Sequence, residues 1–163
     1  MEIKRAIKFL ESKIKNPSII LPEEIFLFIS RNIPITNVDL LIKDEGKRTL
    51  LAWRDDMIHG KGWHIPGSVI RFKEKMIGRV QKLVKTEIGA NVKIDPIPIA
   101  INELIHNYKT RGHAISILYK GFLPGKFIPK NKGLIERDVG YLKWHDHCPK
   151  NLLKTHEVYR KYI

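Results

Sequence analysis

Cysteine is almost absent. Cys148 stands alone among 163 residues, so no disulfide can close within the chain, which excludes a small secreted disulfide scaffold and fits a reducing compartment, by default the cytoplasm. Long hydrophobic runs are missing too. The longest unbroken apolar stretch is Ile25–Ile29, far short of the roughly 20 residues that span a bilayer, and no signal-peptide-like segment follows the charged N-terminus. Acidic residues are scarce: 17 Asp+Glu against 30 Lys+Arg give a net charge of +13. That excess raises the local concentration of phosphate-rich partners, nucleotides and nucleic acids alike, and it is equally the mark of a lysine-solvated surface. What is present suffices for one core. At 43% hydrophobic residues the chain needs no metal or disulfide staple, and its length suits a single domain covering 1–163.

No repeat and no low-complexity tract interrupts the chain. Residues 2–15 place Ile3, Ala6, Ile7, Leu10 and Ile14 on one stripe of an amphipathic helix, which Asn16-Pro17-Ser18 stops. With no aromatic anchor on that stripe, packing on its own domain or on a second subunit, as in a homodimer, is expected over membrane binding. Leu21-Pro22-Glu23-Glu24 opens a second short helix. From Asn37 the pattern turns to β: Val38–Ile42 and Leu50–Arg54 read as a hairpin, followed by a short strand and tight turn at Gly62–Gly67. Phe72–Ile88 reads as a helix with Met76, Ile77, Val80, Leu83, Val84 and Ile88 buried and Gly89 as its C-cap. Strands are expected at Val92–Ile101, Ala114–Phe122 and Val139–Trp144, with a loop over Leu123–Lys132 and a last helix ending at Tyr162. Alternating strands and helices give an α/β or α+β class.

The turn Gly62-Trp63-His64-Ile65-Pro66-Gly67-Ser68 and the helix after it resemble the Nudix hydrolases. That family's signature is a Gly, five residues, a Glu, seven residues, then R-E-U-x-E-E-x-G-U with U apolar. Here Ser68 stands at the first Gly, Glu74 at the first Glu, Lys82 at the Arg, Leu83 and Thr86 at two of the Glu positions, Glu87 at the last Glu and Gly89 at the closing Gly. The resemblance implies an α/β/α sandwich, a mixed sheet between helices. It also implies a helix whose carboxylates hold Mg²⁺ or Mn²⁺ to polarise a pyrophosphate. Leu83 and Thr86 remove two of those carboxylates, leaving Glu87 with a carbonyl near Gly67 as a lean metal site, completed by substrate phosphates and water.

One Nudix branch shares these losses. The helix of the GDP-mannose mannosyl hydrolases reads R-L-T-M-A-E-L-G where this chain has Lys82-Leu83-Val84-Lys85-Thr86-Glu87-Ile88-Gly89, and their N-terminal segment resembles Arg31–Ile42. The likeness covers residues 22–89. That branch cleaves the sugar C–O bond, so it needs one metal on the nucleoside-diphosphate leaving group and a protein base for water. The resemblance implies that Asp39 and Arg54 contact the base and diphosphate, and that His106 and Tyr108 lie near the sugar. Val69 replaces an expected Arg, for which Arg71 is the candidate substitute. The branch's general-base His has no counterpart; aligning tyrosines on Tyr141 brings Asp138, and then Glu136, forward as base. Together with Glu74 these form the expected catalytic set. The expected function is hydrolysis of a nucleotide sugar such as GDP-mannose. The rival is an inactive Nudix-fold module that holds nucleotide or nucleic acid on its basic surface.

Other motifs weigh less. Trp63 reads as a packed strand residue. His145-Asp146-His147-Cys148 is too short a run to supply four converging metal ligands. Lys75, Arg79 and Lys82 share a helix face and read as solvated cations before a phosphate track. His156 reads as a surface histidine.

Overall fold

The computed structural model describes residues 2–163. In chain order its elements are α1 (Glu2–Lys13), α2 (Glu23–Ser30), β1 (Ile35–Lys43), β2 (Thr49–Asp56), β3 (Gly60–His64), β4 (Gly67–Val69), α3 (Met76–Leu83) running into a π turn at Val84–Ile88, β5 (Lys93–Ile94), β6 (Ala100–Ile105), β7 (His113–Phe122), a short 3₁₀ turn at Asn131–Gly133, β8 (Leu142–His145) and a C-terminal 3₁₀ segment at Lys154–Tyr162. The strands form one mixed sheet in the order β3-β2-β1-β7-β5, with β4 on β1, β6 on β7 and β8 on β2. β1 runs parallel to β7 and antiparallel to β2 and β4.

Strand side chains alternate between faces, and β1 shows what that builds. Val38, Leu40 and Ile42 enter one core with Leu50, Ala52 and the α3 residues Val80 and Leu83, extended by Val84 and Ile88. Leu41, by contrast, joins Leu51, Trp53, Trp63, Leu118, Leu152 and Tyr159 on the other face. The sheet is thus covered on both sides, as a three-layer sandwich requires. Trp63 is packed as expected, edge-on to Trp53 at 5.2 Å between ring centroids.

Several boundaries differ from the sequence reading. α3 begins at Met76, not Phe72, because Lys73 takes a left-handed φ of 57° and the Glu74 carboxylate accepts the Arg71 N–H. Met76, expected in the core, is 42% exposed. Val92–Ile101 is two strands rather than one, since Pro96 and Pro98 have no N–H to give a ladder. The last helix is 3₁₀ rather than α, and β8 starts at Leu142. No described residue of α1 is buried; Leu10 is half-buried, and Ile3 and Ile7 stay exposed. No helix among the described residues is long and apolar enough to cross a membrane.

Candidate active site

The site forms where β4 lies against β1. Gly67 pairs with Asp39 across the two strands, and the Leu40 N–H donates to the Pro66 carbonyl at 2.9 Å. A Cβ at position 67 would run into the Asp39 carboxylate and come within 3.2 Å of the Val38 carbonyl oxygen, so only glycine lets the strands close here. Asp39 is buried, and its Oδ2 accepts hydrogen bonds from the Ser116 hydroxyl and, at 2.6 Å, from the Tyr159 hydroxyl. Burial raises its pKa, against the pull of those two donors and of Arg54. The same burial, with Asp39 beside it, pushes the Tyr159 phenol up.

Two cavities open from this centre and share Arg54 and His64. The first, of about 150 Å³, lies over Asp39, Gly67 and Val69 and takes in His59, His106, Arg111, Thr155 and His156. The second, of about 550 Å³, runs from Glu87 and Thr86 past Trp53 to Lys130, Asn131 and Lys132. His64 sits between them with its Nδ1 2.9 Å from the Ile65 carbonyl oxygen. A carbonyl only accepts, so in the neutral ring Nδ1 carries the proton and Nε2 is left as an acceptor. Burial, then Arg54, depresses the His64 imidazole to about 3, and burial likewise holds His156 well below the usual histidine range.

Glu87 stands at the second cavity. It is exposed on one side, yet the packed wall around its carboxyl raises the pKa to about 7, with Arg54 opposing the rise and Asp39 adding to it. The π turn fixes this position, closing with the Gly89 N–H donating to the Val84 carbonyl at 2.9 Å, and Gly89 caps the helix at φ 66°.

No family model matches the chain. Among curated proteins, the low-salt glycan biosynthesis protein Agl8 of Haloferax volcanii is 28% identical over 79 residues, which are 48% of this chain and 50% of Agl8. The chain therefore matches about half the length of that relative. Solved structures carry the likeness further. A MutT Nudix hydrolase from Burkholderia pseudomallei superposes with a TM-score of 0.62 at 17% identity, over 81% of this chain and 99% of that one. The fold is that of the Nudix hydrolases. A Nudix-family hydrolase from Clostridium perfringens gives 0.55 at 17% identity, over 79% and 94% of the two chains. A protein from Jonesia denitrificans described as a possible asymmetric diadenosine tetraphosphate hydrolase gives 0.53 at 19%, over 70% and 77%.

Within this fold the residues on and just before α3 hold one another. Glu74 is fully engaged: its Oε2 accepts from Arg79 Nε at 2.6 Å and from the Arg71 N–H, and its Oε1 accepts from Lys82 Nζ at 2.8 Å. Burial works against these donors, but Lys82, the Arg71 N–H and Arg79 hold the carboxyl down to about 2. On the shared cationic face, two of the three members, Arg79 and Lys82, are thus paired with the one Glu74 carboxylate. Thr86 turns its hydroxyl back onto the Lys82 carbonyl at 3.0 Å, and Leu83 is buried in the core.

This donor set bears on the divalent cation a Nudix hydrolase uses. Among the described residues no three His, Cys, Asp or Glu side chains gather as a metal-ligating group. Glu74 is occupied and Asp39 is hydrogen-bonded on Oδ2 and packed on Gly67, so Glu87 is the carboxylate left for a cation. Glu87 lines the second cavity and Gly67 the first, and one carboxylate fits at most a single hard cation completed by other oxygens, not a centre of several ions.

The other expected residues fall as follows. Arg54 lies 3.5 Å from Asp56 and faces both cavities. His106 lines the first cavity, with the exposed Tyr108 ring 5.7 Å away. Arg71 lies outside both cavities, near Glu74 and Arg79. Asp138 accepts the Ile135 N–H through Oδ2 at 2.9 Å, just before Val139 and Gly140 on the second cavity wall, and Glu136 pairs with Lys143 at 3.0 Å. The His145–Cys148 run does not converge: His145 packs on Trp63, and the Arg160 guanidinium donates to Cys148 Sγ. His156 is not a surface histidine; it is buried at the first cavity. Sequence reasoning also passed over Arg111, Thr155 and Asn37, which lie far apart in the chain with no motif to join them.

Proposed function

We propose that this protein hydrolyses a nucleoside-diphosphate derivative, a nucleotide sugar such as GDP-mannose, at the sugar C–O bond. The observation that carries this reading is the meeting of two cavities of different character at Arg54. One is small and carries four histidines and two arginines among its lining; the other is larger and carries a single unengaged carboxylate. A ligand with a nucleoside at one end and a sugar at the other, joined by a diphosphate, suits that division, with the guanidinium on the joint. Mg²⁺ or Mn²⁺ bound at Glu87 and Gly67 would supply charge stabilisation for the diphosphate.

The chain's own residues divide the remaining work. Arg54 holds the diphosphate, while Asp39, fixed by Ser116 and Tyr159, anchors the strand wall. Asp138, with Oδ1 free of hydrogen bonds, is the base that takes a proton from water, and Glu136 is second in line. Water oxygen bonds to the anomeric carbon, the C–O bond to phosphate breaks, and the electron pair leaves on the nucleoside diphosphate. Too few carboxylates remain on the helix to collect several cations around an attacked phosphorus, so pyrophosphate cleavage is not expected. The single cysteine is consistent with work in the cytoplasm.

The test is product analysis over a panel of nucleotide sugars in ¹⁸O water, with and without Mg²⁺ or Mn²⁺. Label in the sugar is the expected result; label in GMP or mannose phosphate overturns C–O cleavage. Asp138→Asn should abolish turnover, and Glu87→Gln should remove the dependence on Mn²⁺. A second reading, a module that binds nucleotide or nucleic acid without catalysis, is favoured by the missing cluster of metal-ligating side chains. Absence of turnover across the panel would select it.

A further inference from the structure

Nine buried side-chain nitrogen and oxygen atoms among the described residues have no hydrogen-bond partner, and five of them belong to the first cavity: Asn37 Oδ1, His106 Nε2, Arg111 Nε, Thr155 Oγ1 and His156 Nδ1. Buried polar groups are ordinarily paired, so such a concentration in one place marks where a ligand's polar atoms belong. Thr155 is 5% exposed and His156 8%, so neither can turn to bulk solvent instead. Four of the five atoms belong to groups that can donate, and the one carboxylate lining the cavity, Asp39, is already engaged by Ser116 and Tyr159. Donors without a free counter-charge are the chemistry of an anion site.

Arg111 is held at this wall in an unusual way. Its φ of 54° lies in the left-handed region, which a residue with a side chain rarely occupies. The neighbouring Gly112 leaves no room for a side chain, because a Cβ there would meet the Tyr108 carbonyl oxygen at 2.6 Å and that of His106 at 2.8 Å. The Arg111 N–H reaches Ser30 Oγ at 3.2 Å, and the guanidinium lies 4.9 Å over the Phe26 ring. Two contacts therefore hold a strained residue with a donor left over. Val69, on the same wall, offers no charge, and Arg71 lies outside both cavities.

We propose that Arg111 is a ligand-contacting residue which, with Arg54, clamps the diphosphate of a nucleotide in the first cavity, Thr155 and His156 donating to the same anion. This rests on the nucleoside-diphosphate reading above and adds the residues that recognise it. The C-terminal 3₁₀ segment is then part of the binding site.

The experiment titrates the full chain with inorganic pyrophosphate, GDP, guanosine and, as a control for general anion binding, sulfate. Wild type should bind GDP and pyrophosphate at least about tenfold more tightly than guanosine or sulfate. Arg111→Met should lose about tenfold for GDP and pyrophosphate while leaving guanosine unchanged, and Arg111→Lys should recover part of the loss, since an ammonium keeps the charge but not the planar fork. Equal losses for guanosine and GDP would show that Arg111 only packs on Phe26, and unchanged pyrophosphate binding would remove it from the site. If Arg111→Met fails to fold, Thr155→Val reads the same cavity: severalfold weaker pyrophosphate binding supports the clamp, and unchanged binding overturns it. Turnover of a nucleotide sugar alongside unmeasurable pyrophosphate and GDP binding would sink the clamp and leave the hydrolase reading standing.

Discussion

Glu87 and His64 are displaced in opposite directions within reach of the same guanidinium, and the signs make them separable. Glu87 rises from 4.5 to about 7, so the stability it contributes is complete below pH 4.5 and is lost as pH climbs through 7. His64 falls from 6.5 to about 3, so its contribution is complete above pH 6.5 and is lost as pH drops toward 3. Glu87→Gln should therefore melt higher than wild type at pH 8 and match it at pH 4. His64→Asn keeps an N–H for the Ile65 carbonyl and cannot take up the proton. Its deficit against wild type at pH 7.5 should shrink by on the order of 2 kcal/mol at pH 4.5. Thermal melts at these four pH values check both, and a deficit independent of pH would show that the histidine is not kept neutral.

At the scale of elements, the β1–β4 contact and the start of α3 hold the site in place. Gly67→Ala forces a methyl onto the Asp39 carboxylate and should cost about 1–3 kcal/mol by overpacking, measured by urea unfolding, with GDP affinity falling in step. Glu74→Gln releases Arg79, whose side chain is 13% exposed, and should cost on the order of 2 kcal/mol. Retention of kcat in that variant would mark Glu74 as a positioning residue; a collapse of kcat without a change in melting would restore it to the reaction. These are the elements the sequence makes most legible. Alternation in β1 and β2 and the stripe of Val80, Leu83, Val84 and Ile88 report burial directly, and the Gly67 turn carries a recognisable pattern. Arg111, Thr155 and His156 were not legible, because a left-handed arginine and a 3₁₀ turn have no period and their convergence depends on long-range closure. His156 looked like a surface histidine because a 3₁₀ segment has no 3.6-residue stripe to reveal its inner face.

The whole molecule carries +13. Asp44, Asp55, Glu74, Glu136 and Glu157 each hold a nearby Arg or Lys in an ion pair, which leaves that excess in place. Residues 2–15 hold five basic and two acidic residues, and no described residue of α1 is buried, so removing residues 1–15 should leave the melting temperature within about 2 °C and lower the net charge to +10. Net charge by itself has a definite signature toward nucleic acid. Each phosphate neutralised releases counterions, so affinity falls steeply with salt, and without bases stacked or read in a groove nothing offsets the fall. Oligonucleotide binding should therefore appear at low salt, vanish near physiological salt, and show a shallower salt slope in the chain lacking residues 1–15. Replacing Lys75, Arg79 and Lys82 together removes three positive charges and should weaken that low-salt binding about as much as losing residues 1–15 does, because the single Glu74 carboxylate offsets only one of the three. Tight binding that persists at physiological salt and disappears with this triple replacement would show that the helix face is a phosphate track after all, and would favour the nucleic-acid module over the hydrolase.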